Sequence, residues 1–391
     1  MNLQTKRTWP YYEDDEISIV KEILESGKVN YWTGNQGKLF EKEFADWSGN
    51  RYAIALANGS LALTAAYTAL GLQDEDEFIT TPRTFIATSL CGVMLGAKPI
   101  FADVDFNSGA ITAETIEPLI TNKTKVISVV HVGGWPADMI SICKLAKKYE
   151  LPVIEDCSQA HGAKINNKPI GSFGDISTWS FCQDKIITTG GEGGMVTTDR
   201  KDIWEKIWSL KDHGKNYNSI FNKAHSPGRK WVHENIGSNY RLTEMQSAIG
   251  RKQLKKIDAW NKIRSMNAQI LINALKEVKL ARVPIPSPKI NHAWYKFHTF
   301  INIKLLKENW NRDRIIDELN LLSVKASQGT CSEIYLEECF KTRNFQPPRR
   351  LNIASKLGET AIMFNVDPSI TNDEMHRNAE IIKEVFNQAS H

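Results

Sequence analysis

Residues 171–198 read GSFGDISTWSFCQDKIITTGGEGGMVTT, and the way this stretch folds decides how the rest of the chain is read. Two short apolar runs, residues 176–181 and 195–198, are bounded by glycine, the pattern of buried strands. The loop between them carries Lys185 in its middle and glycines at 190, 191, 193 and 194. A lysine folded back against a sheet lies near low-dielectric surface, where the neutral amine is easier to reach. A lysine in such a place can form a Schiff base, and the glycines would let backbone approach a bulky cofactor closely. The plain alternative is a surface lysine in a β-hairpin. On this stretch alone, the plain alternative is preferred.

Upstream, the pattern alternates between strands and helices. Residues 13–26 have apolar side chains at 17, 20, 23 and 24 and end at Gly27, a helix with its stop. Phe40, Phe44 and Trp47 make a second helical stripe. Residues 52–57 read as a strand running into Asn58-Gly59-Ser60 and a helix, LALTAAYTALGL. A strand, a Gly-Ser turn and a helix start together make an anion site, although an ordinary capping serine gives the same pattern. Strand-like runs follow at 78–81, 99–102, 126–131 and 153–155, separated by helical segments such as 138–148. This alternation predicts an α/β fold with a mainly parallel sheet between helices, and ligands at the carboxyl ends of its strands. Ser60, Phe85, Asp156 and Lys185 all fall there.

In LPVIEDCSQAHG a buried strand runs straight into Glu155 and Asp156. A carboxylate at such a position is costly unless a cation meets it, and a protonated pyridine nitrogen is one such cation. A helix is predicted from Trp204 to SLKDHGK, then an aperiodic stretch to about Glu234, then a long helix with Thr243 near its first turns. The proline-rich ARVPIPSPKI reads as a boundary. HAWYKFHTFINI and VKASQGT are predicted strands of a smaller unit, and 312–319 and 372–387 its helices. The division expected is 1–250, an N-terminal segment and large domain, and 251–391, a connecting helix and small C-terminal α/β domain.

With 391 residues, the chain is longer than one core usually covers. Its 41% hydrophobic and 24% charged residues suit a soluble globular protein. The net charge of +4, from 49 basic and 45 acidic residues, is too balanced to argue for a nucleic-acid partner. The cysteines at 91, 143, 157, 182, 331 and 339 show no CxxC spacing, so neither a metal site nor a disulfide framework is expected. No run reaches membrane-spanning length and the N-terminus has no apolar signal core, which predicts a cytoplasmic protein.

Taken together, NGSLAL, TPRTFIATS, VIEDCSQAHGA, GSFGDISTWSFCQDKIITTGGEGGMVTTD and NYRLTEMQSAIG closely resemble the DegT/StrS family of sugar aminotransferases. The resemblance runs from the first helix to FNVDPSITNDEM. It implies the pyridoxal-phosphate (PLP) fold of the aspartate aminotransferase type. It also implies roles, position by position. Lys185 would carry PLP as a Schiff base and move the proton. Asp156 would pair with the pyridine nitrogen, Gln159 would reach the ring hydroxyl and Phe85 would stack on the ring. Gly59, Ser60 and Ser180 would bind the phosphate, with Asn239 reaching it from the neighbouring subunit of a homodimer. His213 and Arg241 lie in matching segments without an assigned role, and the Cys182 thiol is expected to pack.

The implied reaction moves an amino group from L-glutamate to a nucleotide-linked keto-sugar, at C4 of a UDP-4-keto-6-deoxy-hexose, for surface polysaccharide or glycoconjugate synthesis. C3, or a dTDP- or GDP-linked sugar, is the alternative. A dehydratase branch of the family carries histidine in place of the lysine, which Lys185 excludes. A non-catalytic regulatory protein on this fold would have no need of Lys185. The aromatic segments VNYWTG and HAWYKFHTF are expected to line the sugar-nucleotide groove.

Overall fold

The computed structural model describes residues 8–224 and 231–391. Seven strands form the main sheet: β1 (Tyr52–Leu56), β2 (Glu77–Thr80), β3 (Lys98–Phe101), β4 (Thr124–Val130), β5 (Val153–Asp156), β6 (Ile176–Ser180) and β7 (Gly194–Thr198). Their spatial order is β1-β7-β6-β5-β4-β2-β3. The pairs β2/β3, β2/β4, β4/β5 and β5/β6 are parallel, while β7 runs against both β6 and β1. The two runs of the opening stretch are therefore neighbours, with Trp179 opposite Met195 and Ser180 opposite Gly194. Residues 181–193, with Lys185 among them, form the loop that joins them.

Successive strand residues point to opposite faces, so each strand feeds two cores. Ile54, Leu56, Ile154 and Val196 pack on one face under α3 (Gly59–Ala69) and α6 (Lys201–Lys211), against Ala62, Ala65, Ile203 and Ile207. Ala53, Ala55, Val153 and Met195 pack on the other, beneath Phe40 and Phe44 of α2 (Gln36–Ser48) and Ile142 of α5 (Met139–Lys148). Phe40 and Phe44 are completely buried, and truncating either to alanine should cost about 3–5 kcal/mol. Ahead of α2 in the chain lies α1 (Asp14–Ser26), closed by Gly27 at φ 66°, and between α3 and α5 lies the short α4 (Ala87–Val93).

The single long helix expected after residue 243 is two helices, α7 (Glu244–Leu254) and α8 (Ile257–Leu275). Lys255 and Lys256 interrupt them, and the Lys256 ammonium sits 2.7–2.9 Å from carboxylate oxygens of Glu13, Asp15 and Glu16. Thr243 caps α7, its hydroxyl accepting from the Gln246 N–H while Gln246 reaches back. The first half of α8 joins the main core through Ile257 and Trp260. Its second half, through Ala268, Leu271 and Leu275, joins a separate core.

That core lies on a four-stranded antiparallel sheet in the order β8-β9-β11-β10, with β8 (Ala281–Arg282), β9 (Phe297–Ile301), β10 (Ala326–Ser327) and β11 (Ala361–Phe364). Helices α9 (Arg312–Leu321) and α10 (Asn372–Ala389) cover it with Ile315, Leu319, Met375 and Ile382. No helix among the described residues is long and apolar enough to cross a membrane.

Candidate active site

A cavity of about 980 Å³ opens at the carboxyl ends of β1, β2, β5 and β6. Gly59, Ser60, Phe85, Asp156, Gln159, Ser180 and Lys185 all line it. Residues 295–296 and 329–331, which flank β9 and β10, form the facing wall.

One end of the cavity is a backbone cradle. Asn58, not Ser60, caps α3: its side-chain oxygen accepts from the Leu61 N–H at 2.9 Å. The N–H groups of Gly59 and Ser60 have no acceptor within the helix, as at any helix start, and both residues line the cavity. The strands close tightly here. A Cβ on Gly59 would lie 2.7 Å from Ser180 Cβ, and one on Gly194 would overlap the Asn58 carbonyl. A helix N-terminus with free N–H groups and an adjacent serine hydroxyl suits a phosphate.

At the end of β5, Asp156 is only 4% exposed. Thr88 Oγ1 donates to its Oδ2 at 2.8 Å and the Ser158 N–H to its Oδ1 at 3.1 Å. Among the described residues it forms no ion pair, so a buried carboxylate faces the cavity with no cation of its own. Gln159 accepts the Gly133 N–H at 2.8 Å, which fixes its amide so that the oxygen is used by the backbone. Phe85 is 68% exposed although it lines the cavity, an aromatic face that no other ring covers among the described residues. A flat, cationic ring with a phosphate tail matches all of these features together.

Lys185 lies between these groups and the facing wall. Its backbone is pinned: Trp9 Nε1 donates to its carbonyl at 2.9 Å and its own N–H donates to the Cys182 carbonyl at 3.0 Å. Its ammonium is 3.4 Å from the Tyr295 hydroxyl and 3.7 Å from Asp184 Oδ1, and Tyr295 donates a hydrogen bond to Asp184 Oδ2. Burial and the Asp184 charge push the Tyr295 phenol well above its ordinary pKa. Lys296, the other ammonium lining the cavity, is bound by Asn365 at 2.9 Å, and burial lowers its pKa. Sequence reasoning missed Tyr295 and Asp184 as a pair. Cys182, expected to pack, stands in the cavity wall.

Other expected residues lie elsewhere. Asn239 is exposed and outside this chain's cavity, accepting the Arg241 N–H at 3.3 Å, and it does not cap α7. Arg241 pairs with the buried Asp212 at 2.9 Å, and His213 is exposed at φ 58°. None of residues 29–34 lines the cavity. Tyr31 is buried, donating to Glu41 at 3.0 Å, and Trp32 packs on Trp208 and Phe221. From the second aromatic segment, Tyr295 and Lys296 reach the cavity and Phe297 is core.

The chain belongs to the DegT/DnrJ/EryC1/StrS aminotransferase family, whose profile matches residues 10–383. It is 33% identical over 389 residues to the GDP-perosamine synthase of Escherichia coli O157:H7, covering 96% of this chain and 97% of that one. It is 32% identical over 373 residues to the UDP-N-acetyl-3-dehydro-alpha-D-glucosamine 3-aminotransferase of Acidithiobacillus ferrooxidans, covering 95% and 93%. The X-ray structure of the aminotransferase from Psychrobacter cryohalolentis superposes with a TM-score of 0.96 at 46% identity, covering 98% of this chain and 100% of that one. The chain is thus a sugar-nucleotide aminotransferase with pyridoxal phosphate as cofactor, and the cradle, the unpaired carboxylate and the lysine fit that group.

Proposed function

We propose that this family member moves an amino group from L-glutamate to a nucleotide-linked keto-sugar, at C4 of a UDP-4-keto-6-deoxy-hexose, in the synthesis of a surface polysaccharide or glycoconjugate. The observation that carries the amino-transfer reading is Lys185 in one cavity with an unpaired, buried Asp156. Pyridoxal phosphate supplies a carbonyl that takes up the amino group and a ring that accepts the electron pair when a neighbouring C–H bond breaks.

The chain's own residues would do the rest. Gly59, Ser60 and Ser180 would bind the phosphate, and Phe85 would cover one ring face. Asp156, held by Thr88 and the Ser158 N–H, keeps the proton on the ring nitrogen. Gln159, its oxygen occupied by the Gly133 N–H, would have its amide N–H left to offer to the ring hydroxyl. The Lys185 amine takes the α-proton of glutamate and later delivers a proton to the sugar carbon, which sets the configuration of the new amine. Lys296 offers a positive charge to the anionic parts of donor or nucleotide. A second copy of the chain completes each site through Asn239, which lies outside its own chain's cavity.

A second reading, amination at C3, draws on the Acidithiobacillus ferrooxidans relative, and a GDP-linked substrate draws on the Escherichia coli one. The deciding experiment offers L-glutamate with 4-keto and 3-keto sugars linked to UDP, dTDP and GDP. Product mass and NMR then locate the amine. Amination of the UDP-4-keto-6-deoxy sugar in preference to the others is expected, and selective use of a 3-keto sugar would replace this reading with the second.

A further inference from the structure

Tyr295 and Asp184 have no part in the roles assigned above, yet they hold the Lys185 amine. The three residues come from two places: Asp184 and Lys185 from the loop between β6 and β7, and Tyr295 from the segment that enters β9. Tyr295 is 7% exposed, so its ring is fixed by packing. Its hydroxyl proton goes to Asp184, which leaves oxygen lone pairs for the Lys185 ammonium at 3.4 Å. The ammonium also lies 5.0 Å from the centre of the Tyr295 ring. The Asp184 side chain is 55% exposed, so its charge is partly solvated and is not an uncompensated buried carboxylate.

Two further features limit what the lysine can do. Its backbone is clamped on both sides, at its carbonyl by Trp9 and at its N–H by Cys182. Only the flexible stem can move. The other titratable groups within electrostatic reach, His161 from the loop after β5 and Lys296 beside Tyr295, form no hydrogen bond with the amine among the described residues. Arg264 of α8 stands behind Tyr295, donating to its carbonyl at 3.4 Å.

We infer that Tyr295, fixed by Asp184, is a positioning residue for Lys185: its hydroxyl receives the lysine amine whenever that amine is not bonded to the cofactor. The inference rests on the reading of Lys185 as the cofactor-bearing residue. An amine that must leave the cofactor, carry a proton and return needs a defined resting place within reach of the reacting carbon, because proton transfer tolerates little misplacement. Without the hydroxyl, the stem would sample many positions and few of them would be productive.

The test uses Tyr295→Phe and Asp184→Asn, each checked by circular dichroism and thermal melting. Cofactor-free protein is exposed to trace acetic anhydride, and acetylation of Lys185 relative to the exposed Lys21 is read by peptide mass spectrometry. In Tyr295→Phe the ratio should rise at least threefold, because the amine has lost its acceptor. In Asp184→Asn, which can still accept from Tyr295 but removes the charge 3.7 Å from the amine, the ratio should also rise. In PLP-loaded Tyr295→Phe, the limiting rate of the glutamate half-reaction should fall about tenfold or more, with the half-saturating glutamate concentration within about twofold of wild type. A folded Tyr295→Phe protein with an unchanged labelling ratio or an unchanged limiting rate overturns the inference. If Tyr295→Phe does not fold, the limiting rate of PLP-loaded Asp184→Asn decides: a fall of about threefold or more with unchanged half-saturating glutamate supports the inference, and an unchanged rate overturns it. Labelling needs no turnover, so a wild-type protein that aminates no keto-sugar leaves this test standing.

Discussion

Gly59 and Ser180 face each other across a gap that has no room for a methyl group: a Cβ at 59 would sit 2.7 Å from Ser180 Cβ and 3.2 Å from its Cα. Because the second contact is backbone, the neighbour cannot rotate away. Gly59→Ala must push the start of α3 off the end of β6, at an overpacking cost of about 1–3 kcal/mol. PLP affinity of the cofactor-free protein, followed by fluorescence titration, should fall by about tenfold or more. Unchanged affinity would mean that the cradle is not where the phosphate binds.

Asp156→Asn preserves shape and removes the charge. The Ser158 N–H keeps the Oδ1 acceptor, and the Thr88 hydroxyl, which faces the other position, can turn to accept from the new amide NH2, so the side chain should stay in place. What is lost is the partner of the ring-nitrogen proton. The glutamate half-reaction, watched by stopped-flow absorbance, should slow by about 10²–10³-fold or more. A variant with near-normal rates would leave Asp156 a purely structural role.

Asn239 can be tested by mixing. Lys185→Ala chains lack the amine, and Asn239→Asp chains carry a charge that repels a phosphate while the side chain can still accept from the Arg241 N–H. If Asn239 serves the partner's site, a mixed dimer gathers both defects in one site and leaves the other intact. Activity should then reappear on mixing. No recovery in samples where mixed dimers are shown to form would assign Asn239 to its own chain.

Two buried histidines make stability depend on acid. Burial pushes His161 and His292 down to about 3, and the Lys185 and Arg264 charges add to the effect at His161. Both are neutral in the fold, while in the unfolded chain each takes up a proton below about pH 6.5. Their contribution is therefore complete above that pH and declines as pH falls toward 3, by about 1.4 kcal/mol per pH unit for each histidine. His161→Asn should flatten the slope of unfolding free energy between pH 5.5 and 4.5 by about that amount. Equal slopes in wild type and variant would show that His161 is already protonated in the fold.

The parts legible in the sequence are those set by local pattern. Glycine-bounded apolar runs mark β6 and β7, and the apolar run that reaches Glu155-Asp156 marks β5 and its end. The break between α7 and α8 was hidden. RKQLKKID has no glycine or proline, and the carboxylates around Lys256 come from the far end of the chain, at Glu13, Asp15 and Glu16. Tyr295 and Asp184 meet across a separation of 111 residues, so no window of sequence contains both. Trp32 looked like a groove residue because aromatics beside glycines often are. Its packing against Trp208 and Phe221 comes from elements that only the fold brings together.

The hydrogen bond from Trp9 to the Lys185 carbonyl spans 176 residues, and among the described residues the strand that pairs with β1 is β7, Tyr52 opposite Thr198. Both closures wait for chain synthesised much later. A ribosome that has finished β1 through β5 has made a strand with no neighbour and an indole with no acceptor. Such long separations slow folding and leave an open sheet edge in the meantime. The lysine loop is thus the clasp of the large sheet as well as the seat of its reactive amine, and the site should be among the last parts of the protein to form. Pulse-labelling hydrogen exchange during refolding should accordingly find the β1 and β7 amides protected after those of β4 and β5.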